Sequence, residues 1–249
     1  MIKTYIVSGA GSGIGKAIAQ KLSQSGFKVI LIGRDIAKLN ESLASLTVGD
    51  HLVFAVDICD KEGLKRLAEK LKGITINGIV ANAGVGGENS WGENDRWHEI
   101  INTNLTGTYN FVNTLLPFLN TENETKHILI TSSVLARLGV ANYTAYCASK
   151  AGLLGLMRSW AVEYAPQNIL VNAICPGWVD TEMAQQGLQG IANNIGISKA
   201  EFYDIAMQSV PLKRMSSPNE IADLVQYLLN QHSITGQAID INCGSVMNS

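Results

Sequence analysis

Three side chains that can hold or move a proton occur close together in the sequence: Ser133, Tyr146 and Lys150. A free tyrosine phenol has a pKa of about 10, so it is a poor acid or base at neutral pH. If residues 143–165 form a helix, Tyr146 and Lys150 lie on one face, and the lysine ammonium can approach the phenol oxygen. A nearby positive charge lowers the pKa of a phenol. The alternative for this spacing is a half-buried tyrosine followed by a solvated lysine.

A glycine-rich turn near the N-terminus indicates what these groups act on. The apolar run 4–8 predicts a strand, and residues 16–24 follow a helical pattern. Glycines let a backbone turn tightly and approach a pyrophosphate, whose charge then meets the amides of the helix N-terminus. We therefore expect a dinucleotide site, and with the proton-moving groups this predicts carbonyl and alcohol redox chemistry on a nicotinamide. The turn consists of Gly9, Ala10, Gly11, Ser12, Gly13, Ile14 and Gly15.

The order of predicted elements indicates the fold. Strands are predicted near residues 4–8, 28–33, 51–56, 76–81, 126–131, 168–174 and 237–241, with helical patterns between them. Parallel strands joined by helices give an open sheet with helices on both faces and a ligand crevice at the carboxyl ends. The prediction is a Rossmann-type, doubly wound α/β fold. Asn82, Ser133 and Pro176 fall at or just past strand ends.

Composition limits the remaining possibilities. The chain has 249 residues, of which 46% are hydrophobic, and this suits a single α/β domain over 1–249. Its formal charge of -2 and the lack of a basic block give no reason to expect nucleic acid or an anionic membrane as a partner. Residues 1–8 are too short for a signal peptide and no long uncharged apolar stretch occurs, so we expect a cytoplasmic protein. Four cysteines show no metal-binding spacing: Cys59, Cys147, Cys175 and Cys243.

These motifs together resemble the short-chain dehydrogenase/reductase family, and the resemblance runs almost from end to end of the chain. It rests on the order and spacing of Gly9-x-x-x-Gly13-x-Gly15, Asn82-Ala83-Gly84, Asn104, Ser133, Tyr146-x-x-x-Lys150 and Pro176-Gly177. The motifs are specific for the family and much less so for a substrate.

The resemblance implies a role for each member of a catalytic tetrad. Tyr146 would donate a proton to the alkoxide that develops when hydride reaches a ketone carbon, and Ser133 would hold the same oxygen. Lys150 would lower the tyrosine pKa and bind the nicotinamide ribose. Asn104 would hold a water that links Lys150 to solvent.

The resemblance also implies further cofactor contacts. Asp57 and Ile58 would lie near the adenine, although Asp57 is equally suited to cap the helix predicted over 60–71. The remaining contacts would come from Asn82, Ala83 and Gly84 along the ribose, from Pro176 and Gly177, and from Val179 and Thr181 at the carboxamide.

The residues after the second predicted strand bear on cofactor choice. An acidic residue directly after that strand would bind a ribose 2'-hydroxyl and repel a 2'-phosphate. That position is Gly33, and the next residue, Arg34, carries a guanidinium suited to phosphate. We predict NADP(H) over NAD(H). Asp35 keeps NAD(H) open, because it can bind a hydroxyl or pair with Arg34, and Ser12 lacks the second basic group that many NADP-dependent relatives carry.

Residues 181–212 are expected to cover the substrate. In the family this segment is a mobile lid, and its apolar side would carry Met183, Leu188, Ile191 and Phe202; the alternative is two ordinary surface helices. We expect Trp178 and Met183 to contact substrate. Large aromatic residues that could wall the pocket are Trp91, Trp97 and Trp178, although such residues more often lie in cores or interfaces.

Substrate identity is only weakly indicated. Val85-Gly-Gly87, Cys175-Pro-Gly-Trp-Val-Asp-Thr181 and Ile241-Asn-Cys-Gly244 resemble 3-oxoacyl reductases and aromatic polyketide ketoreductases. Fatty-acid ketoreductases carry arginines before the fifth and sixth strands that meet an acidic carrier protein. Here those segments, 120–126 and 165–168, have none. A 3-oxoacyl thioester remains the prediction, with a CoA thioester or a free ketone open.

Two other functions remain open, together with the state of assembly. One is an alcohol, sugar or steroid dehydrogenase of the same family, and the other is a cofactor-binding sensor without turnover. The sensor is disfavoured because this chain keeps all four tetrad residues. The resemblance also implies a homotetramer or homodimer assembled through helices over 102–119 and 143–165.

Overall fold

A computed structural model describes residues 2–119 and 124–247. Its core is a seven-stranded sheet in which all neighbouring strands are parallel, in the order β3-β2-β1-β4-β5-β6-β7. The strands are β1 (Thr4–Ser8), β2 (Lys28–Gly33), β3 (Leu52–Ala55), β4 (Gly78–Ala81), β5 (Lys126–Thr131), β6 (Ile169–Pro176) and β7 (Ala238–Ile241).

The strands lie where the sequence predicts them, with small differences at their ends. Strand β6 continues two residues further than predicted, to Pro176. Strand β4 begins at Gly78 rather than at residue 76, because Ile76 pairs separately with Leu119 in an isolated bridge. The doubly wound α/β prediction is confirmed.

Helices cover both faces of the sheet. They are α1 (Gly13–Gln24), α2 (Ile36–Ala44), α3 (Lys61–Lys70), α4 (Trp97–Ile101), α5 (Thr108–Leu115), α6 (Thr144–Tyr164), α7 (Glu182–Ile195), α8 (Lys199–Gln208) and α9 (Pro218–Leu229). None of the helices within 2–119 and 124–247 is long and apolar enough to span a membrane.

Alternation along each strand divides the core into two layers. On β1, Ile6 points to one face, while Tyr5 and Val7 point to the other, as the twofold period of a strand requires. The first layer packs against α3, α5 and α6, and the second packs against α1, α2 and α9. A third, smaller cluster lies around α7 and α8 and contains Leu188, Met207, Val210 and Met215.

The helix predicted over 102–119 differs from the expectation. It begins earlier, at Trp97, and its middle section, Asn102–Gly107, has π-helical hydrogen bonding between α4 and α5. Wider turns of this kind are rare and occur frequently at functional sites. Here the π-helical section contains Asn104, which is fully buried.

A buried histidine lies on β5, far from the carboxyl ends of the strands. His127 is 2% exposed, and its Nδ1 atom has no hydrogen-bond partner among the residues that the structure describes. Burial, together with the positive charges of Lys3 and His232, lowers its pKa to about 4. The folded protein therefore holds this imidazole neutral at pH values where an unfolded chain would protonate it.

This difference predicts a loss of stability in mild acid. Because the folded pKa is lowered, protonation favours the unfolded chain once the pH falls below about 6.5, by about 1.4 kcal/mol per pH unit. Urea unfolding at pH 7.5 and pH 5.0 should show that His127 contributes about 2 kcal/mol to the loss of unfolding free energy. The His127→Gln variant should lack this part of the pH dependence. Equal pH dependence in both proteins would refute this assignment.

Candidate active site

The glycine-rich turn joins β1 to α1 at the carboxyl edge of the sheet. Gly9 and Gly13 have positive φ angles of 68° and 50°, which non-glycine residues rarely adopt. A Cβ atom built on Gly15 would lie 2.1 Å from the carbonyl oxygen of Gly9, so only glycine fits there. Ser12 begins α1 without a side-chain capping bond, and the first turn of α1 has no acidic residue. The turn is therefore a narrow, electropositive cradle that fits a pyrophosphate.

This cradle lies at the point where the strand order reverses, between β1 and β4. The Ser8 hydroxyl accepts hydrogen bonds from the backbone N–H groups of Asn82 and Ala83, both at 3.0 Å. The Asn82 side chain donates to the Ser8 carbonyl at 3.2 Å and accepts from the Thr131 hydroxyl at 3.1 Å. Asn82 thus connects the ends of three neighbouring strands, β1, β4 and β5.

Lys150 points into this junction from α6. Its Nζ atom donates to the carbonyl oxygen of Thr131 at 2.9 Å and lies 5.5 Å from the centre of the Tyr146 ring. The residue is 4% exposed. Burial lowers the pKa of its ammonium to about 8, against a smaller opposing effect of Cys175. Gly84 passes close by, since a Cβ there would lie 3.5 Å from the Lys150 Nζ atom.

Tyr146 lies beside Ser133, as the resemblance implies. The Ser133 hydroxyl accepts from the backbone N–H of Leu135 at 3.1 Å and lies close enough to the Tyr146 phenol to affect its pKa. The Tyr146 ring is half-buried, whereas its hydroxyl is surrounded by protein. Burial raises the pKa of Tyr146 to about 12, and the Ser133 hydrogen bond lowers it by a smaller amount.

The expectation that Lys150 lowers the tyrosine pKa is not met in this structure. Burial is the largest effect on the Tyr146 pKa, and the Lys150 ammonium lies over the ring, 5.5 Å from its centre. A cation beside the ring favours the negatively charged phenolate, but burial outweighs that effect and the net pKa of Tyr146 stays raised. Sequence spacing placed the two residues on one face correctly but could not determine this orientation.

Asn104 joins the same cluster through its side chain. Its Oδ1 atom accepts from the Val85 N–H at 2.8 Å, and its Nδ2 atom donates to the Val85 carbonyl at 3.0 Å and the Ser149 hydroxyl at 3.1 Å. The side chain therefore holds the segment after β4 against α6, and the water expected between Asn104 and Lys150 stays a prediction.

Arg34 and Asp35, the residues predicted to select the cofactor, follow β2 and differ in their contacts. Asp35 accepts from the backbone N–H groups of Ala37 and Lys38 and caps α2. Arg34 is exposed, and it forms no ion pair with any described residue. The carboxylate is thus committed to a helix cap, while the guanidinium faces solvent beside the crevice.

Sequence reasoning missed Lys38, a second cation near the cradle. A Cβ on Gly11 would lie 3.2 Å from the Lys38 Cβ atom, so this residue borders the glycine-rich turn. Its Nζ atom is 3.4 Å from a carboxylate oxygen of Glu182 at the start of α7. The available signal was its place in the first turn of the helix that follows Arg34.

Asp57 and Ile58 are only partly as expected. Asp57 accepts from the Cys59 N–H at 2.8 Å, and the cap of α3 is Asp60 instead. Ile58 is 4% exposed and packs into the core beside Gly107. Its side chain thus belongs to the core, and a contact of Asp57 or Ile58 with the adenine stays a prediction.

The segment after β6 lies against the glycine-rich turn. The Gly177 N–H donates to the Ile241 carbonyl at 3.1 Å, which holds the Pro176–Gly177 turn at the edge of the sheet. Val179 is buried, and Thr181 caps α7 through the Ala184 N–H. The Thr181 methyl group would be 3.2 Å from a Cβ on Gly13, so the two predicted cofactor segments meet.

A cavity of about 350 Å³ opens between the segment after β4 and α7. A Cβ on Gly86 would lie 3.2 Å from the Met183 sulfur and 3.9 Å from the Tyr146 ring, so the cavity borders the tyrosine. Glu88 and Arg96 supply its charged groups. Its remaining lining is formed by Gly86, Gly87, Tyr143, Met183, Gln186, Gly187, Gly190 and Ile191.

Of the predicted substrate residues, Met183 lines this cavity and Trp178 does not. Trp178 packs instead against the cluster around α7 and α8, because this large side chain fills the space beneath those helices. Leu188 is likewise fully buried there. Trp91 is 97% exposed, and Trp97 also lies outside the cavity lining. The pocket is therefore walled by glycines and a methionine rather than by tryptophans.

Comparisons with known proteins agree with this geometry. A family model described as "Enoyl-(Acyl carrier protein) reductase" matches residues 9–245. A 3-oxoacyl-[acyl-carrier-protein] reductase FabG from Thermotoga maritima is 33% identical, with 98% of each chain covered. The granaticin polyketide synthase putative ketoacyl reductase 1 of Streptomyces violaceoruber is 30% identical, covering 98% of this chain and 92% of the relative.

Solved structures show the same relationship. A variant of actinorhodin polyketide ketoreductase with NADPH superposes with a TM-score of 0.91 at 28% identity, covering 98% of this chain and 97% of the other. Levodione reductase gives a TM-score of 0.89 at 27% identity, with 97% and 96% covered. The chain therefore belongs to the short-chain dehydrogenase/reductase family of oxidoreductases, which act on C=O and CH–OH groups.

Proposed function

We propose that this protein uses NADPH to reduce a ketone to a secondary alcohol, with a 3-oxoacyl thioester as the substrate class. The observation that carries the proposal is the Ser133–Tyr146 pair, which sits above the buried Lys150 ammonium and beside a cavity. Relatives named as 3-oxoacyl-carrier-protein and polyketide ketoacyl reductases support the substrate class.

The residues of the crevice fit a nicotinamide dinucleotide. The glycine-rich turn would form the cradle for its pyrophosphate, because a side chain at Gly15 would clash with the Gly9 carbonyl and prevent the tight turn. Lys150 gives one N–H to Thr131, and since an ammonium has three, we propose that the others bind the nicotinamide ribose. When bound, the cofactor supplies the hydride for the carbonyl carbon.

The protein's own groups would supply the proton. Because burial raises the Tyr146 pKa, the phenol is protonated at neutral pH and can donate to a developing alkoxide. The Ser133 hydroxyl is placed to hold the same oxygen. The nearby positive charge of Lys150 would then stabilise the phenolate left after the proton has moved.

Removal of the Tyr146 hydroxyl tests this role. NADPH consumption should be measured with acetoacetyl-CoA and with a panel of free ketones and diketones. For Tyr146→Phe, we expect kcat to fall by about 10²–10⁴-fold, the usual contribution of a positioned general acid, while the Kd for NADPH changes little.

Tyr143→Phe is the matched control, because Tyr143 also lines the cavity and lies three residues earlier. It should retain kcat within about threefold, because only a hydroxyl is lost and the proposal gives that hydroxyl no part in proton transfer. Retained turnover in Tyr146→Phe would overturn the assignment, and turnover of free ketones alone would replace the thioester as substrate class.

Cofactor preference is proposed to depend on Arg34. Its guanidinium is exposed beside the crevice, whereas Asp35 is engaged as the cap of α2. A 2'-phosphate would therefore meet a guanidinium that forms no ion pair with a described residue, with Lys38 as a second positive group. NAD(H) use remains the alternative.

Arg34→Ala should lower the preference for NADPH over NADH by about tenfold or more, the value of one charged hydrogen-bonded contact. The measurement is the ratio of kcat/KM for the two cofactors. Arg158→Ala, which removes another exposed arginine on α6, should leave this ratio unchanged. If the ratio is the same in Arg34→Ala as in the parent, Arg34 does not select the cofactor.

We further propose that α7 and α8 form the lid expected over 181–212. Within the described residues, two polar side-chain contacts join α7 to other parts of the site: Asn194 donates to Glu88 at 3.0 Å, and Glu182 pairs with Lys38. Both contacts are exposed, so each contributes little to the stability of the closed position of α7. Each can therefore break when substrate enters.

Self-association through α5 and α6 also stays a proposal. Val162 on α6 is 79% exposed and Tyr109 on α5 is 49% exposed, and apolar side chains of this kind favour burial against a second copy.

A further inference from the structure

Asn89 occupies an unusual position in the segment between β4 and α4. It is a polar side chain with only 8% of its surface exposed, and it adjoins Glu88 at the cavity. None of the steps described above uses it. Its hydrogen bonds nevertheless run directly to the helix that carries Tyr146.

Helix α6 has no side-chain cap of its own. Its first residue is preceded by Tyr143, whose side chain makes no capping bond. The first N–H groups of a helix have no partner within that helix and need an acceptor from elsewhere. The Asn89 Oδ1 atom accepts from the Ala145 N–H at 2.8 Å and from the Thr144 hydroxyl at 3.1 Å. Asn89 therefore caps α6 from a distant point in the chain, one residue before Tyr146.

The other polar atoms of Asn89 are used as well. Its Nδ2 atom donates to Asp95 Oδ1 at 3.1 Å, and the same oxygen accepts from the Trp97 N–H, the first residue of α4. Its backbone N–H donates to the Asn142 carbonyl at 2.7 Å. Because a backbone N–H only donates and a carboxylate only accepts, these partners fix the orientation of the amide.

These contacts connect the two helices that bring the candidate tetrad together. Helix α4 continues through the π-helical section to Asn104, and α6 carries Tyr146 and Lys150. We propose that Asn89 is a positioning residue, which holds the N-terminus of α6 so that the Tyr146 hydroxyl stands beside Ser133. The proposal rests on the ketone reduction proposed above.

Asn89→Ala should lower kcat by about tenfold to a hundredfold, because a misplacement of about 1 Å in a reacting group costs up to about 10²-fold. The Kd for NADPH should change by less than about threefold, since the glycine-rich turn lies on other elements and Lys150, more than one turn further along α6, is held to Thr131. If Asn89 had a purely structural role, Asn89→Ala would lower stability but would not lower kcat while leaving the Kd for NADPH unchanged.

Asn77→Ala is the matched control for lost stability. Asn77 is also 8% exposed, and its Oδ1 atom accepts from the Thr4 N–H at 2.9 Å, at the opposite end of β4 from the site. This variant removes a buried side-chain bond to a backbone N–H of the same kind. We expect it to unfold at lower urea concentration while it retains kcat.

Exchanging the side chains of Asn89 and Asp95 gives a second, independent test of the proposal. Asn89→Asp places a carboxylate against Asp95 and should lower kcat. Adding Asp95→Asn removes the like charge and can turn an amide N–H toward the new carboxylate, at the cost of the bond from the Trp97 N–H, so the double variant N89D/D95N should recover part of the lost kcat. Asp95→Asn alone should be close to the parent, because its amide oxygen can still accept both bonds.

Hydrogen exchange of the Ala145 amide supplies a readout that does not need activity. We expect faster exchange at the start of α6 in Asn89→Ala and unchanged exchange there in Asn77→Ala. If the parent reduces no ketone, the function proposed above fails, while this readout still decides whether Asn89 caps α6. Unchanged exchange, an equal loss of kcat in Asn77→Ala, or a double variant no better than Asn89→Asp would each overturn the proposal.

Discussion

The positive charge of Lys150 lies inside the protein, where removing an ammonium from water costs several kcal/mol unless polar groups replace the solvent. The Thr131 carbonyl provides one such group, at the end of β5. Thr131 is itself bonded to Asn82, and Asn82 to Ser8, so the charge is held by the ends of three parallel strands. Without this sheet edge, the ammonium could not lie beneath the phenol ring.

The same edge explains why the other groups converge. All seven strands run in one direction, so their carboxyl ends, with the glycine-rich turn, Asn82, Ser133 and the Pro176–Gly177 turn, lie side by side. Helix α6 then crosses this edge and presents Tyr146 and Lys150 from one face. The loop between β4 and α4 closes the arrangement, since Asn104 holds its beginning and Asn89 connects its middle to α6.

Much of this arrangement could be predicted from the sequence. The strands are short apolar runs followed by turn residues, which is a local pattern, and the spacing of Tyr146 and Lys150 depends only on helical periodicity. The π-helical section around Asn104 and the position of Trp178 could not be predicted, because both depend on packing between distant segments. The raised Tyr146 pKa has the same origin: it depends on how deeply the hydroxyl is buried, and no spacing rule gives that. The role of Asn89 could not be predicted from the sequence, because its hydrogen-bond partners on α6 lie 55 and 56 residues away.

The central claim is that a buried, charged Lys150 organises cofactor binding, and the pH dependence of kcat/KM for NADPH tests it most directly. At saturating ketone this constant reports the ionisation of groups in the free enzyme. Because burial lowers the Lys150 pKa to about 8, loss of its proton should reduce kcat/KM about tenfold per pH unit above that value. Circular dichroism should show that the protein stays folded over the range. A constant kcat/KM up to about pH 10, near the ordinary lysine pKa, would contradict the account.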